Sequence, residues 1–223
     1  MASRVGIVVY ESFVLGQAAT VVDVLQFAAG LDSRAYGLKL YECTLLSAEG
    51  GPVAAAGDIS VNTTAFPDAG RFDHIVVCGG TGVSAAIAGA RIGAFVLDQV
   101  RTARSINAIA SGALLLASVG LLDRRKATTH WMCRYELATR YPQVIGVHSR
   151  GCVKDGPFIT CSTTSGAMQL ARTMIAGDHG DEVAKRAFHY FQPSHSDNAA
   201  PHTGDGDAEP VDRFLALLNW AEQ

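Results

Sequence analysis

The chain has 223 residues, of which 48% are hydrophobic and 17% charged, and carries a net charge of −3. That is long enough for one sizeable core or two small ones, and too apolar for a disordered chain. The charge is uneven: residues 192–223 hold six acids against Arg213, leaving residues 1–191 at +2, and neither part has a basic stripe that would grip a phosphate backbone. DNA binding is therefore not expected of this chain alone. No apolar run is as long as a membrane span, and Met1-Ala2-Ser3-Arg4 leads into a strand and not a signal peptide. Five cysteines, at positions 43, 78, 133, 152 and 161, are odd in number and lack C-x-x-C spacing. They read as reduced thiols of a bacterial-type cytoplasm.

In chain order, Arg4–Tyr10 is a short apolar run, as in a strand buried on both faces. Residues 17–31 place Ala18, Val21, Val22, Leu25, Ala28 and Ala29 at helical spacing. Leu38–Ser47 reads as a strand, Gly50-Gly51-Pro52 as punctuation, and Ile59–Asn62 as a short β piece. Asp73–Cys78 is a buried strand running into Gly79-Gly80. A helix over Ile92–Ala103 returns the chain to the strand Ile106–Ile109. Cys133–Tyr141 is helical up to Pro142. Val144–Val147 and Gly151–Ser162 supply strands around an Asp155-Gly156 turn, and Thr164–Ile175 and Asp181–Phe191 supply helices. Strands alternating with helices predict an α/β protein, a flavodoxin-like sandwich with a mostly parallel sheet and helices on both faces.

The most informative stretch is Ser105–Trp131. Its strand breaks through Ala110-Ser111-Gly112 straight into the apolar helix Ala113–Val119, the geometry of a nucleophile elbow, which lifts one side chain over the carboxyl end of a parallel sheet. A working enzyme places Cys or Ser at that apex, and this chain has Ala110. The preceding turn, Gly79-Gly80-Thr81-Gly82, could face the elbow with backbone N–H groups as an anion or carbonyl site, or be a plain turn. It is neither G-x-G-x-x-G nor a P-loop, so no nucleotide cofactor is implied.

The runs Gly79–Val83, S-G-A-L-L-L-A from Ser111, G-L-L-D-R-R-K-A-T-T-H-W ending at Trp131, and D-G-P-F-I-T-C-S-T-T-S-G-A from Asp155 together resemble the DJ-1/PfpI superfamily of glutamine amidotransferase-like proteins. The nearest branches are the isocyanide hydratases and the N-terminal domains of AraC-type transcriptional regulators. The resemblance implies that enzymes of this kind carry a reactive cysteine where this chain has Ala110, and an acid where it has Gln17. A methyl group cannot attack, and an amide is no general acid or base near neutral pH. The same resemblance matches His130 to the histidine beside the reactive cysteine and leaves Trp131 next to it.

Each candidate has a plainer reading. Ser111 is a helix cap or a ligand hydrogen-bond donor rather than a nucleophile. Gln17 can be an ordinary first-turn residue. His130 is a pocket wall or a core histidine, and Trp131 a packing residue or part of a ligand cage. Cys78 closes a buried run and reads as an inert core thiol. His148, Cys152 and Cys161 form one candidate metal cluster, but without the spacing of a zinc site, and no metal is assigned.

Residues 192–210 have three prolines, four acids and no aliphatic side chain larger than alanine, and are expected to be a linker. Val211–Glu222 then places Phe214, Leu217, Leu218 and Ala221 on one helical stripe, expected to open a further module or to fold back on residues 1–191. The resemblance implies the first: a start of a helix-turn-helix domain mostly outside this chain. The expected protein is thus a non-catalytic, cytoplasmic, bacterial sensor that forms a homodimer. It binds a small-molecule effector around Gln17, Gly79, Gly80, Thr81, Ala110, Ser111, His130 and Trp131, and meets DNA only through that further domain. The competing expectations are a hydratase-like enzyme in inactive form and a free-standing interaction domain.

Overall fold

Period-two alternation divides the strand side chains between two cores. Val5, Ile7 and Val9 enter one, Val8 the other; Val76 and Cys78 enter the first, Ile75 and Val77 the second. Strands with both faces apolar need helices on each side. The computed structural model describes residues 2–31, 39–146 and 151–191. Through these residues run β1 (Ser3–Val8), α1 (Leu15–Leu31), β2 (Tyr41–Ser47), β3 (Gly51–Ala54), β4 (Ser60–Ala65), α2 (Phe66–Ala69), β5 (His74–Val77), α3 (Val83–Ala88) and α4 (Arg91–Gln99). There follow β6 (Ser105–Ile109), α5 (Gly112–Ser118), β7 (Lys126–Ala127), a 3-10 turn (Trp131–Cys133), α6 (Arg134–Arg140), β8 (Ile145–Gly146), β9 (Cys152–Asp155), β10 (Phe158–Cys161), α7 (Gly166–His179) and α8 (Asp181–Phe191). Among the described residues no helix is long and apolar enough to cross a membrane.

The main sheet has the order β3-β4-β2-β1-β5-β6-β10-β9. Its six inner strands pair in parallel, and antiparallel partners β3 and β9 close the two edges. The sandwich anticipated from the alternation of strands and helices is the one that forms. Helices α1, α7 and α8 cover one face, and α3, α4 and α5 the other. Helix α5 is apolar all round because Gly112–Ala117 is buried throughout. Its Leu114, Leu115 and Leu116 each contribute about 1.5–3 kcal/mol by leaving water. Gly6 in β1 makes room for both neighbouring strands: a Cβ there would stand 2.8 Å from Leu46 Cδ1 and 3.0 Å from Ile75 Cδ1.

Several elements escaped the sequence reading. Gly50-Gly51-Pro52 was expected to be punctuation, yet Gly51–Ala54 is an edge strand paired with β4. An edge tolerates Pro52, which has no N–H to donate. Short α2, α3 and β7 have too few residues to show a period. Expected strands at Leu38–Ser47 and Val144–Val147 shorten to β2 and β8, and Leu38 and Val147 lie outside the described residues. So do residues 192–223, with the linker and terminal helix expected there, and His148.

At the amino edge of the sheet a polar clasp holds the end of α7. His74 Nε2 lies 2.8 Å from an Asp178 oxygen and its Nδ1 2.8 Å from Ser105 Oγ. Tyr41 donates to the same carboxylate at 3.1 Å, and Arg104 approaches it at 3.5 Å. A carboxylate at a helix C-terminus opposes the helix dipole, and this set of partners offsets the cost. Ser105, His74 and Asp178 are the residue types of a nucleophile, base and acid. All three are nearly closed to solvent, with side-chain exposures of 5% for His74 and 7% for Asp178, and the cluster reads as a clasp rather than a reaction centre.

Burial by itself would raise the Asp178 carboxyl, but His74, Tyr41 and Arg104 outweigh it and hold the group below the ordinary carboxylate range. Its contribution is therefore present above about pH 5 and is lost as pH falls through the lowered value. Asp178→Asn should cost about 1–3 kcal/mol at neutral pH. In urea titrations across pH, the gap between wild type and variant should close below about pH 4; a gap independent of pH would show that the carboxylate charge does not matter.

Candidate functional site

The carboxyl edge of the sheet is where two backbone turns cross. β6 is followed at once by Ala110, whose φ of 52° is left-handed and unfavourable for alanine. The conformation is held from both sides: Ala110 N donates to Cys161 O at 2.7 Å, and Thr129 Oγ1 donates to Ala110 O at 2.9 Å. The turn after β5 presses against this elbow. A Cβ on Gly79 would stand 2.7 Å from Ile109 O, and one on Gly112 would stand 2.5 Å from Val77 O. Only glycine permits so close a backbone crossing.

Two of the side chains expected at the site hold the glycine turn in place. Gln17, 1% exposed, accepts from Gly79 N through Oε1 at 2.6 Å and reaches Thr164 Oγ1 through Nε2 at 3.4 Å. Ser111 occupies the N-cap position of α5 but makes no capping bond. Its hydroxyl instead accepts from Gly80 N at 2.9 Å and faces Gly80 O at 3.1 Å. Thr81 N donates to Ser12 O at 3.1 Å. The N–H groups of Gly79, Gly80 and Thr81 are thus used within the protein. The anion cradle of free amides that the glycine turn suggested is not what the turn presents.

Around the apex, Ala110 is 6% exposed and offers only a methyl group. Cys78 is fully buried, and burial pushes its thiol up to about 12, which keeps it protonated and inert at neutral pH. His130 is half-buried, one residue from the Thr129 that braces the elbow, with its ring centroid 5.7 Å from that of Trp131. Trp131 itself is 66% exposed, so the packing role considered for it is not realised; Met132 and Tyr135 beside it are exposed too. The expectation of five reduced cysteines also needs correction. Cys152 and Cys161 face each other across β9 and β10 and are joined as a disulfide. Both sulfurs of the candidate zinc cluster are thereby occupied, and Cys43, Cys78 and Cys133 are free thiols. Sequence spacing could not show this, because strand register decides which cysteines meet.

Open space lies beside the elbow. A groove of about 600 Å3 runs over the carboxyl ends of β1 and β2, with Tyr10, Ser12, Pro52, Val53 and Ile92 in its walls and a Glu49–Arg91 ion pair at its side. Gly82 of the glycine turn lines it, but the eight residues named from the sequence do not. It is nevertheless close to where ligands settle in such sheets, the switch point between β1 and β5 from which the strand order runs in opposite directions. Tyr10 is held there by donating to Cys78 O at 2.9 Å. The groove's residues were missed because they come from three separate stretches of the chain, 9–12, 47–53 and 82–92.

Removing the Gln17 amide tests how the glycine turn is tied to α1. Gln17→Ala leaves the buried Gly79 N–H without its acceptor and should lower stability by about 1–3 kcal/mol. Gln17→Glu keeps an acceptor oxygen and should cost less than the alanine variant. Urea unfolding of the two variants checks the order, and equal losses would mean that the Gly79 bond is not what Gln17 contributes.

The same architecture is found in known proteins. The profile of the DJ-1/PfpI family matches residues 4–177. The HTH-type transcriptional regulator GbdR of Pseudomonas aeruginosa is 28% identical over 181 residues, which are 81% of this chain and 48% of GbdR. The HTH-type transcriptional regulator GlxA of Rhizobium meliloti is 31% identical over 218 residues, 96% of this chain and 65% of GlxA. The chain thus spans about half to two thirds of the length of these regulators. The crystal structure of an AraC family transcriptional regulator from Pseudomonas putida shares the fold, with a TM-score of 0.73 at 22% identity over 85% of this chain and 100% of that one. An elbow with a left-handed apex, set against a glycine turn in a mostly parallel sheet, and a profile match over most of the chain lead to one assignment: this chain belongs to the DJ-1/PfpI family.

Proposed function

We propose that residues 1–191 are the non-catalytic, effector-binding and dimerising region of an AraC-type transcriptional regulator. The observation that carries this reading is the elbow itself. Its strained backbone is intact, yet its apex is the Ala110 methyl, and the neighbouring position at the start of α1 holds the neutral amide of Gln17. With a methyl at the apex and a neutral amide at position 17, neither of these two positions can attack or move a proton, and the elbow is left with binding as its task. The groove over β1 and β2, adjoining the elbow, has the volume and the mostly apolar walls of a small-molecule site. The likeness to GbdR and GlxA, which are longer than this chain, supports the regulatory role. DNA contact falls in this reading to a helix-turn-helix module that follows the linker at residues 192–210 and begins at Val211, and the effector signal passes to it.

The competing reading, a hydratase-like enzyme, makes an opposite prediction. Incubated with an isocyanide or with methylglyoxal, the protein should show no turnover above the buffer rate. Ala110→Cys should recover little, since Gln17 still cannot transfer a proton. Turnover by the wild-type chain that disappears on changing Ser111 would overturn the non-catalytic assignment.

Two DNA half-sites read by one regulator call for a symmetric pair of chains. Sedimentation equilibrium of the full chain at tens of micromolar, an order-of-magnitude choice, should return twice the chain mass. A monomer at that concentration would remove dimerisation from the role of this region.

A further inference from the structure

We propose that Cys152 and Cys161 form a reversible thiol–disulfide couple, open to exchange with small thiols and disulfides, that sets the rigidity of the elbow. This goes beyond the effector-binding reading and does not rest on it.

The register of the hairpin brings the two sulfurs together, since Cys152 and Cys161 are directly opposed in β9 and β10. β9 is an edge strand, so one member is reachable from outside. Cys152 is half-buried while Cys161 is fully buried. That asymmetry assigns Cys152 as the sulfur that meets an external reagent and Cys161 as its internal partner. The reduced state has a place to go as well. Cys152 Sγ lies 3.4 Å from Gly166 O, so a thiol there would find an acceptor without moving. The three remaining cysteines have no cysteine partner, and their thiols are held up by burial: Cys43 to about 11, Cys78 to about 12, and Cys133 above the ordinary thiol value, with Glu136 adding to the effect.

The couple is wired to the elbow by backbone. Cys161 O receives the Ala110 amide at 2.7 Å. A Cβ on Gly166 at the start of α7 would stand 2.7 Å from Cys161 Cβ, and Thr164, between them in sequence, is the residue that Gln17 reaches at 3.4 Å. Closing the disulfide pins the end of β10, and with it the groups that hold Ala110 in its left-handed conformation. Opening it leaves an edge strand joined to the sheet by hydrogen bonds alone.

The chemistry balances with a small disulfide RSSR as oxidant. The Cys152 thiolate attacks one sulfur of RSSR, forming a mixed disulfide and expelling RS−, which takes up a proton. Cys161 loses its proton to solvent and attacks Cys152 Sγ, expelling the second RS−. Two protein thiols are oxidised by two electrons, and one RSSR is reduced to two RSH. Excess RSH reverses the sequence: RS− attacks Cys152 Sγ and expels the Cys161 thiolate, and a second RS− attacks the outer sulfur of the mixed disulfide, releasing the Cys152 thiolate and RSSR.

The test uses the full chain in glutathione buffers, with native alkylation followed by peptide mass analysis. In oxidised glutathione, Cys152 and Cys161 should be recovered as one disulfide, and in excess reduced glutathione both should be alkylated. Fully buried Cys78 should stay unlabelled until the protein is unfolded, and half-buried Cys43 and Cys133, which lack a cysteine partner, are followed on their own peptides. Hydrogen exchange at the Ala110 amide should be roughly ten-fold slower in the oxidised form than in the reduced one. Cys152→Ser should exchange at the reduced rate in either buffer, and if that variant does not fold, the two wild-type states still give the comparison. A pair that remains thiol, or remains disulfide, across all glutathione ratios would overturn the couple, and equal Ala110 exchange in the two states would overturn its link to the elbow. Either failure leaves the effector-binding reading where it was.

Discussion

The structure depends on one close approach, the crossing of the backbone after β5 with the backbone after β6. Gly79 and Gly112 let the two turns touch with no side chain between them. Ala110 is caught at the crossing in a left-handed conformation worth about 1–2 kcal/mol of strain for an L-residue. In an enzyme such strain presents a reactive atom. Here it is held by Cys161 O, Thr129 and the packing of α5, with no reactive atom to present. The conformation survives because the surrounding backbone over-determines it.

The same crossing explains where polar groups are spent. Ser111 bridges the two turns, and Gln17 ties the first of them to α1 and to the segment after β10, each using an amide that a bare glycine loop would have offered to a ligand. Satisfying buried N–H groups internally rigidifies the edge and removes a ready anion site in the same stroke. Open space lies one strand over, beyond the ends of β1 and β2 beside Tyr10 and Val53. The two edges of the sheet thus behave differently. The amino edge is sealed by Asp178, His74, Ser105 and Tyr41, and the carboxyl edge is braced but leaves a groove.

The sequence by itself determined the layers, because apolar periodicity follows from burial and burial from strand and helix geometry. Arg4–Tyr10, Asp73–Cys78 and the α5 run each announce an element buried on every side, and glycine next to a strand end announces a tight turn. It also determined the chemical character of the elbow, since Ala110 at the apex is a matter of identity and needs no coordinates. Tertiary structure alone decided what those residues touch. The Gln17–Gly79 bond joins positions 62 residues apart, the Asp178 clasp joins positions 104 and 137 apart, and the disulfide depends on the register of one hairpin. Edge strand β3 and helix α3 are too short to show a period, so packing against neighbours fixes them. The groove belongs to loops that meet only after the sheet has ordered its strands. Local pattern records which face of an element is buried, whereas pairing across the fold is set by register and chain crossing, for which a linear sequence carries no local signal.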